Sequence, residues 1–141
     1  MILYLDTSSL VKLYVPETES DAVKQIVEAA EVTATSRLAY VETRAAFARK
    51  RRERGVNSRD YRHLLQDFDH DWESYFIVDV SDALVRLAGQ LAEKHALRGY
   101  DAIHLASAVI VRRQGDRPMS FSCFDTRLSR AARREGLQIP S

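Results

Sequence analysis

A chain of 141 residues, 45% hydrophobic and 29% charged, has the size and composition of one globular domain with a single core. No apolar run nears the ~20 residues of a membrane span, and the apolar start MILYL stops at Asp6, too short for a signal peptide. The lone Cys123 excludes an internal disulfide and a cysteine metal cage, and fits a reducing cytoplasm.

The net charge of +1 is segregated: Arg37 to Arg62 carries +6, His63 to Asp101 carries −5, and Ala102 to the end carries +4. Such segregation is either a basic face for a polyanion or the solvated side of long helices.

Taken in order, Ile2–Leu5 reads as a central strand buried on both faces. Thr7 or Ser8 caps a helix over Ser9–Val15 that Pro16 ends. Ala22, Val23, Ile26, Val27 and Ala30 give helical spacing to Glu19–Ala30, and Val32–Thr35 is β-branched enough for a second strand. Ser36 opens a long helix through Arg54, stopped by Gly55, and Asn57 or Ser58 caps another reaching Tyr75. Phe76–Val80 is a third strand, followed by a helix from Ser81 or Asp82 to Leu97. The next helix runs from Tyr100 to Arg113 and meets a turn at Gly115–Pro118. Met119–Phe124 is a fourth strand, Thr126–Glu135 a basic helix, and Leu137–Ile139 a short fifth strand. Strands separated by helices predict an α/β domain spanning residues 1–141, with a central parallel sheet of four to five strands flanked by helices.

In such sheets ligands bind beyond the carboxyl ends of the strands. Asp6 and Asp125 follow the first and fourth strands and should share that edge. Asp101 opens an almost wholly apolar helix, with His104 one turn later. Glu42 lies mid-helix near an apolar stripe, where an acid is unfavourable unless paired or bound to metal. Singly, Asp6, Asp101 and Asp125 are equally good helix caps, Glu42 an ion-pair partner for Arg44, and His104 a core histidine. Together, acids on one edge repel one another, and Mg²⁺ or Mn²⁺, which prefers oxygen ligands, removes that penalty.

The stretches LYLDTSSLVKLY around Asp6, YVETRAAFAR around Glu42, LRGYDAIHLASA around Asp101 and FSCFDTRLSRAARREGL around Asp125 resemble the PIN-domain nucleases, most closely the VapC toxins of toxin–antitoxin pairs. The resemblance spans the whole chain. It implies a Mg²⁺- or Mn²⁺-dependent endoribonuclease with Asp6, Glu42, Asp101 and Asp125 as its catalytic acids. Asp6 and Asp101 would be direct metal ligands, with Glu42 and Asp125 supporting them. It also implies an antitoxin partner and a homodimer, for which the apolar faces of Ser9–Tyr14 and Asn57–Tyr75 are candidates. Relatives often carry Thr where this chain has Cys123, so a hydroxyl contact to metal-bound water is absent here.

Arg44, Arg49, Lys50, Arg51 and Arg52 follow Glu42, and Arg127 and Arg130 follow Asp125, so both basic clusters begin beside an acid and are candidates to bind an RNA backbone. Tyr40 and Tyr100 are either base-stacking or core residues. A phosphatase with an acid two residues after Asp6 is disfavoured, because Ser8 stands there. An RNA-processing PIN nuclease that is not a toxin, and a non-catalytic RNA-binding module, remain as alternatives.

Overall fold

The computed structural model describes residues 1–140. Four strands, β1 (Ile2–Leu5), β2 (Val32–Ser36), β3 (Phe76–Val78) and β4 (Met119–Ser122), form one sheet in the order β3-β2-β1-β4. All pairings are parallel, with Leu3 opposite Thr33, Leu5 opposite Ser122 and Ser36 opposite Val78. Parallel neighbours need crossovers. These are supplied by α1 (Thr7–Lys12), α2 (Ser20–Ala29), α3 (Leu38–Arg54), α4 (Ser58–Trp72), α5 (Asp82–His95) and α6 (Gly99–Arg113), while α7 (Thr126–Arg134) follows β4. Among the described residues no helix is long and apolar enough to cross a membrane.

Alternate side chains of a strand point to opposite faces, and β1 uses both. Leu3 and Leu5 pack with Leu10, Val11, Phe47 and Phe68 beneath α1, α3 and α4. Tyr4 joins Leu105, Val109, Phe121 and Leu128 beneath α5, α6 and α7. The α3–α4 contact is aromatic: Phe68 lies against Phe47, Tyr14, Tyr40 and Trp72. Burying one such ring stabilises the fold by about 1.5–3 kcal/mol.

Several boundaries differ from the sequence reading, each for a local reason. The first helix starts at Thr7, not Ser9, because Asp6 itself is the cap: its carboxylate accepts from Ser9 N at 3.0 Å. Ser36 stays in β2, and its Oγ accepts from Leu38 N at 3.1 Å, so α3 begins two residues later. α4 ends at Trp72 rather than Tyr75, and α5 at His95, where Ala96 turns left-handed at φ 54°. β3 and β4 stop at Val78 and Ser122, two residues short of the expected ends. Leu137–Ile139 makes no fifth strand. It forms one parallel bridge, Gln138 to Ser120, in which Phe121 N donates to Gln138 O at 2.7 Å and Gln138 N to Met119 O at 3.0 Å.

The chain winds outward from β1 to β2 to β3, then returns to place β4 on the other side of β1. The reversal lies between β1 and β4, and a crevice opens there beyond their carboxyl ends. Asp6 N continues the ladder to Ser122 O at 3.1 Å, so Asp6 and Asp125 do leave the sheet at the same edge.

Candidate functional site

Asp6 is the most confined acid, 5% exposed at the end of a strand covered on both faces. Its Oδ1 accepts from Ser8 Oγ at 2.7 Å and from Ser9 N at 3.0 Å. Burial pushes its pKa above the ordinary carboxylate range and the Asp101 charge adds to the rise, against the pull of the two hydrogen bonds. The residue is therefore both a helix cap and a strained charge.

Glu42 does not pair with Arg44. Arg44 lies over the Tyr40 ring, 5.8 Å from its centroid, and donates to the Tyr40 hydroxyl at 2.9 Å. The Glu42 carboxylate turns toward the sheet edge, where Oε1 accepts from Thr7 Oγ1 at 2.7 Å and meets His104 Nε2 at 2.9 Å. Burial raises the pKa of Glu42, but the hydrogen bonds from His104 and Thr7 outweigh it and hold the acid below its usual range. The His104 ring is buried, with Nδ1 2.8 Å from the Tyr4 hydroxyl and Nε2 also 3.1 Å from Thr7 Oγ1. His104 is thus a buried histidine joined to an acid of the site. Its place one turn after Asp101 on the same helix face was the available signal.

Asp101 sits in the first turn of α6, but Arg98 occupies the cap position, so capping is not the role of Asp101. Its Oδ2 lies 3.4 Å from Arg98 Nε. Asp125 does cap its helix, with Oδ1 accepting from Leu128 N at 2.9 Å, and its side chain is exposed. Between Asp6 and Asp125 lies the buried Cys123 thiol, pushed up to about 11 by burial and by both carboxylates. Its Sγ is 3.1 Å from Ser129 Oγ. Ser122 is engaged with Ser9 at 2.8 Å, so it offers no substitute for a threonine hydroxyl.

One pattern runs through the set. Each acid commits one oxygen to a protein donor, while Oδ2 of Asp6, Oε2 of Glu42, Oδ1 of Asp101 and Oδ2 of Asp125 have no hydrogen-bond partner among the described residues. Among those residues no three His, Cys, Asp or Glu side chains close into a ready-made metal cage. Carboxylate oxygens left without partners are the hard donors that Mg²⁺ takes while keeping several of its waters.

The basic residues divide by helix face. A groove of about 750 Å³ beside Thr7, Ser8 and Glu42 is lined by Arg49, Arg52 and Arg98, together with Lys12 and Lys50. Lys12 and Lys50 are ion-paired with Glu17. Arg51 points away from this groove, lies 4.6 Å above the Tyr61 ring and donates to Ser58 Oγ at 3.1 Å. Near α7, Arg127 donates to Ala96 O at 3.2 Å, and with Arg130, Arg134 and His95 it lines a second hollow of about 350 Å³. Tyr40 stacks on Phe68 inside the fold, whereas Tyr100, beside Asp101, is 63% exposed. Lys12, Arg98 and Thr7 joined the site only through tertiary placement.

The sequence profile of the PIN domain matches residues 3–134. Ribonuclease VapC45 of Mycobacterium tuberculosis (strain CDC 1551 / Oshkosh) is 35% identical over 142 residues, covering 98% of this chain and 94% of that protein. Among solved structures, M. tuberculosis VapC20, described as a sarcin-ricin loop cleaving toxin, superposes with a TM-score of 0.65 at 19% identity, over 92% of this chain and 94% of that one. A toxin-antitoxin complex from Klebsiella pneumoniae gives a TM-score of 0.64 at 20% identity, covering 88% and 87%. At those identities the likeness is one of fold.

Proposed function

The chain belongs to the PIN domain family, and from that premise we propose that it is a divalent-metal-dependent endoribonuclease, the toxin of a toxin–antitoxin pair. The observation that carries this reading is the acid set at the β1/β4 reversal, where burial and Asp101 hold Asp6 above its ordinary range, a penalty that a divalent cation removes.

Asp6 and Asp101 would hold Mg²⁺ or Mn²⁺ directly, with Glu42 and Asp125 supporting it directly or through water. When bound, such a cation supplies a Lewis acid for a phosphoryl oxygen and a water acidified toward neutrality. Glu42, whose charge is favoured by the hydrogen bonds from His104 and Thr7, would add negative charge to the site that holds the cation. Arg49 and Arg52 in the groove, and Arg127 and Arg130 beyond Asp125, would contact backbone phosphates, which gives affinity without base specificity. Arg44, Lys50 and Arg51 are engaged with Tyr40, Glu17 and Tyr61 and would contribute through overall charge.

The 141 residues would act as one nuclease domain in the cytoplasm, silenced by a cognate antitoxin. The fold likeness to a toxin-antitoxin complex supports that partner. Leu10, Val11 and Phe68 are buried in the monomer, while Leu13, Tyr14, Tyr61, Leu64 and Leu65 keep part of their surface, so a homodimer would use these half-buried faces of Ser9–Tyr14 and Asn57–Tyr75 or exposed groups such as Phe76, Val80 and Val85.

The test is RNA cleavage with Mg²⁺ or Mn²⁺ by wild type, Asp6→Asn and Asp101→Asn, with and without EDTA. Loss of cleavage in both variants and in EDTA is expected. Cleavage that survives either the substitutions or the chelator sinks the reading.

A further inference from the structure

Glu42 stands on α3, yet what holds its carboxylate comes from β1, α1 and α6. Tyr4 is wholly buried, its ring stacked on Phe121 at 5.3 Å with an interplanar angle of 1° and set edge-on to His104 at 5.9 Å. The nearby hydroxyls of Ser107 and Thr35 send their protons elsewhere, to Ile103 O at 2.7 Å and to Leu5 O at 2.8 Å. Neither therefore donates to Tyr4, whose hydroxyl is bonded among the described residues to His104 Nδ1 at 2.8 Å, and it is the donor there when Nε2 carries the proton that the acceptor-only Glu42 carboxylate requires. A neutral imidazole that accepts at Nδ1 must carry its proton at Nε2. That nitrogen faces Glu42 Oε1 at 2.9 Å.

We infer that Tyr4 and His104 form a positioning pair, a one-directional proton chain from Tyr4 through His104 to Glu42 that fixes the Glu42 carboxylate for the cation. The inference rests on the metal-nuclease reading for its purpose, though not for the chain itself. The Tyr4 ring is wholly buried and stacked on Phe121, so the first donor is held in place. Thr7 adds a second donor to the same Oε1 at 2.7 Å. Both bonds fall on one oxygen, which leaves Oε2 without a partner among the described residues and the carboxylate unable to rotate without breaking both. His104 and Asp101 share a face of α6, so one rigid helix sets two acids of the site at once. Groups that orient a metal-ligating carboxylate in this way tune affinity without touching the ion.

Two measurements decide it. In metal-free protein carrying ¹⁵N-labelled histidine, long-range ¹H–¹⁵N correlation should show His104 protonated at Nε2 and bare at Nδ1. The opposite tautomer, or a ring exchanging between both, overturns the chain whatever the metal does. Mn²⁺ affinity by calorimetry and RNA cleavage kinetics are then compared for wild type, His104→Gln, His104→Leu and Tyr4→Phe. The Gln amide reaches about the place of Nε2 and keeps the donor, so His104→Gln should bind Mn²⁺ within a few-fold of wild type. His104→Leu should lose about 10–100-fold in Mn²⁺ affinity, with kcat falling and KM for RNA unchanged. Tyr4→Phe keeps the stack on Phe121 and should show a smaller loss of the same kind. A Leu variant equal to wild type, a Gln variant as impaired as Leu, or a change in KM alone overturns the positioning role. Equal Mn²⁺ binding by wild type and Asp101→Asn instead overturns the metal site itself, and the tautomer still decides the chain.

Discussion

Replacing Asp6 by Asn should make the metal-free protein more stable while removing its activity. The Asn side chain keeps Oδ1, and with it the bonds from Ser8 and Ser9 that cap α1. What disappears is a charge that is 5% exposed and repelled by Asp101. Relieving strain of this functional kind is typically worth about 0.5–2 kcal/mol, which for a domain of this size is a rise in Tm of about 2–8 °C. The pH dependence fixes the sign. The folded state holds the Asp6 proton more tightly than the unfolded chain does, so between the ordinary carboxylate value and the raised one the unfolded state binds fewer protons. Wild-type stability therefore falls as pH rises through that window. Below about pH 4 Asp6 is protonated in both states and the advantage of Asn vanishes; above the raised value it is complete. A saturating cation should reverse the order, since 100-fold excess over Kd stabilises wild type by about 2.7 kcal/mol and the variant hardly at all. Thermal melts at pH 4 and pH 7, in EDTA and in Mn²⁺, measure all of this. An Asp6→Asn protein no more stable than wild type at pH 7 in EDTA would refute the reasoning.

Glu42→Gln should move stability the other way, by about 0.5–1.5 kcal/mol at pH 7, because the folded-state pKa of Glu42 is lowered. That contribution is present above the unfolded value and lost as pH falls through the folded one, so urea titrations should show the deficit closing on acidification; a deficit that persists there contradicts the assignment. Cys123, with a thiol raised to about 11, is ~1 part in 3,000 thiolate at pH 7.5 and should react with iodoacetamide more than ~100-fold slower than a free cysteine. Mass spectrometry showing rapid labelling of native protein would disprove its confinement. Arg52→Ala should weaken RNA binding and reduce the salt slope by about one, whereas Arg51→Ala, which removes the contact with Tyr61, should leave the slope near wild type. Equal slopes would take Arg52 out of the phosphate groove.

The strands and helices were legible because their burial follows simple periods: Leu3 and Leu5 face one core and Tyr4 the other. The edge shared by Asp6 and Asp125 was legible from the alternation of strands and helices alone. Less was readable where long-range contacts decide. The Tyr4–His104 bond joins residues 100 positions apart, and the one local mark on His104 is its place one turn after Asp101. The basic run after Glu42 looked like one cluster, but successive residues on a helix point ~100° apart, so Arg51 and Arg52 serve different faces. The fifth strand failed because Gly136, at φ 86°, brings the chain back for a single bridge to Ser120. Of the caps the sequence offered for α1, Asp6 takes the role over Thr7 and Ser8, its backbone already anchored by the ladder to Ser122.

The two acids with shifted pKa values show why the supports matter as much as the carboxylates. Asp6 and Glu42 are both acids of the site, yet one is raised and the other lowered. Asp6 is deeper and faces Asp101, so burial and repulsion outweigh two good hydrogen bonds. Glu42 is half-buried and receives Thr7 and His104 on one oxygen, so donors outweigh burial. Environments that push neighbouring acids apart divide their roles: Glu42 is the acid whose charge its donors favour, and Asp6 the one whose charge burial and Asp101 disfavour. Such a site is least stable when empty. That is a reason for its supports to come from β1, α1 and α6, elements held by the two cores, and not from a loop.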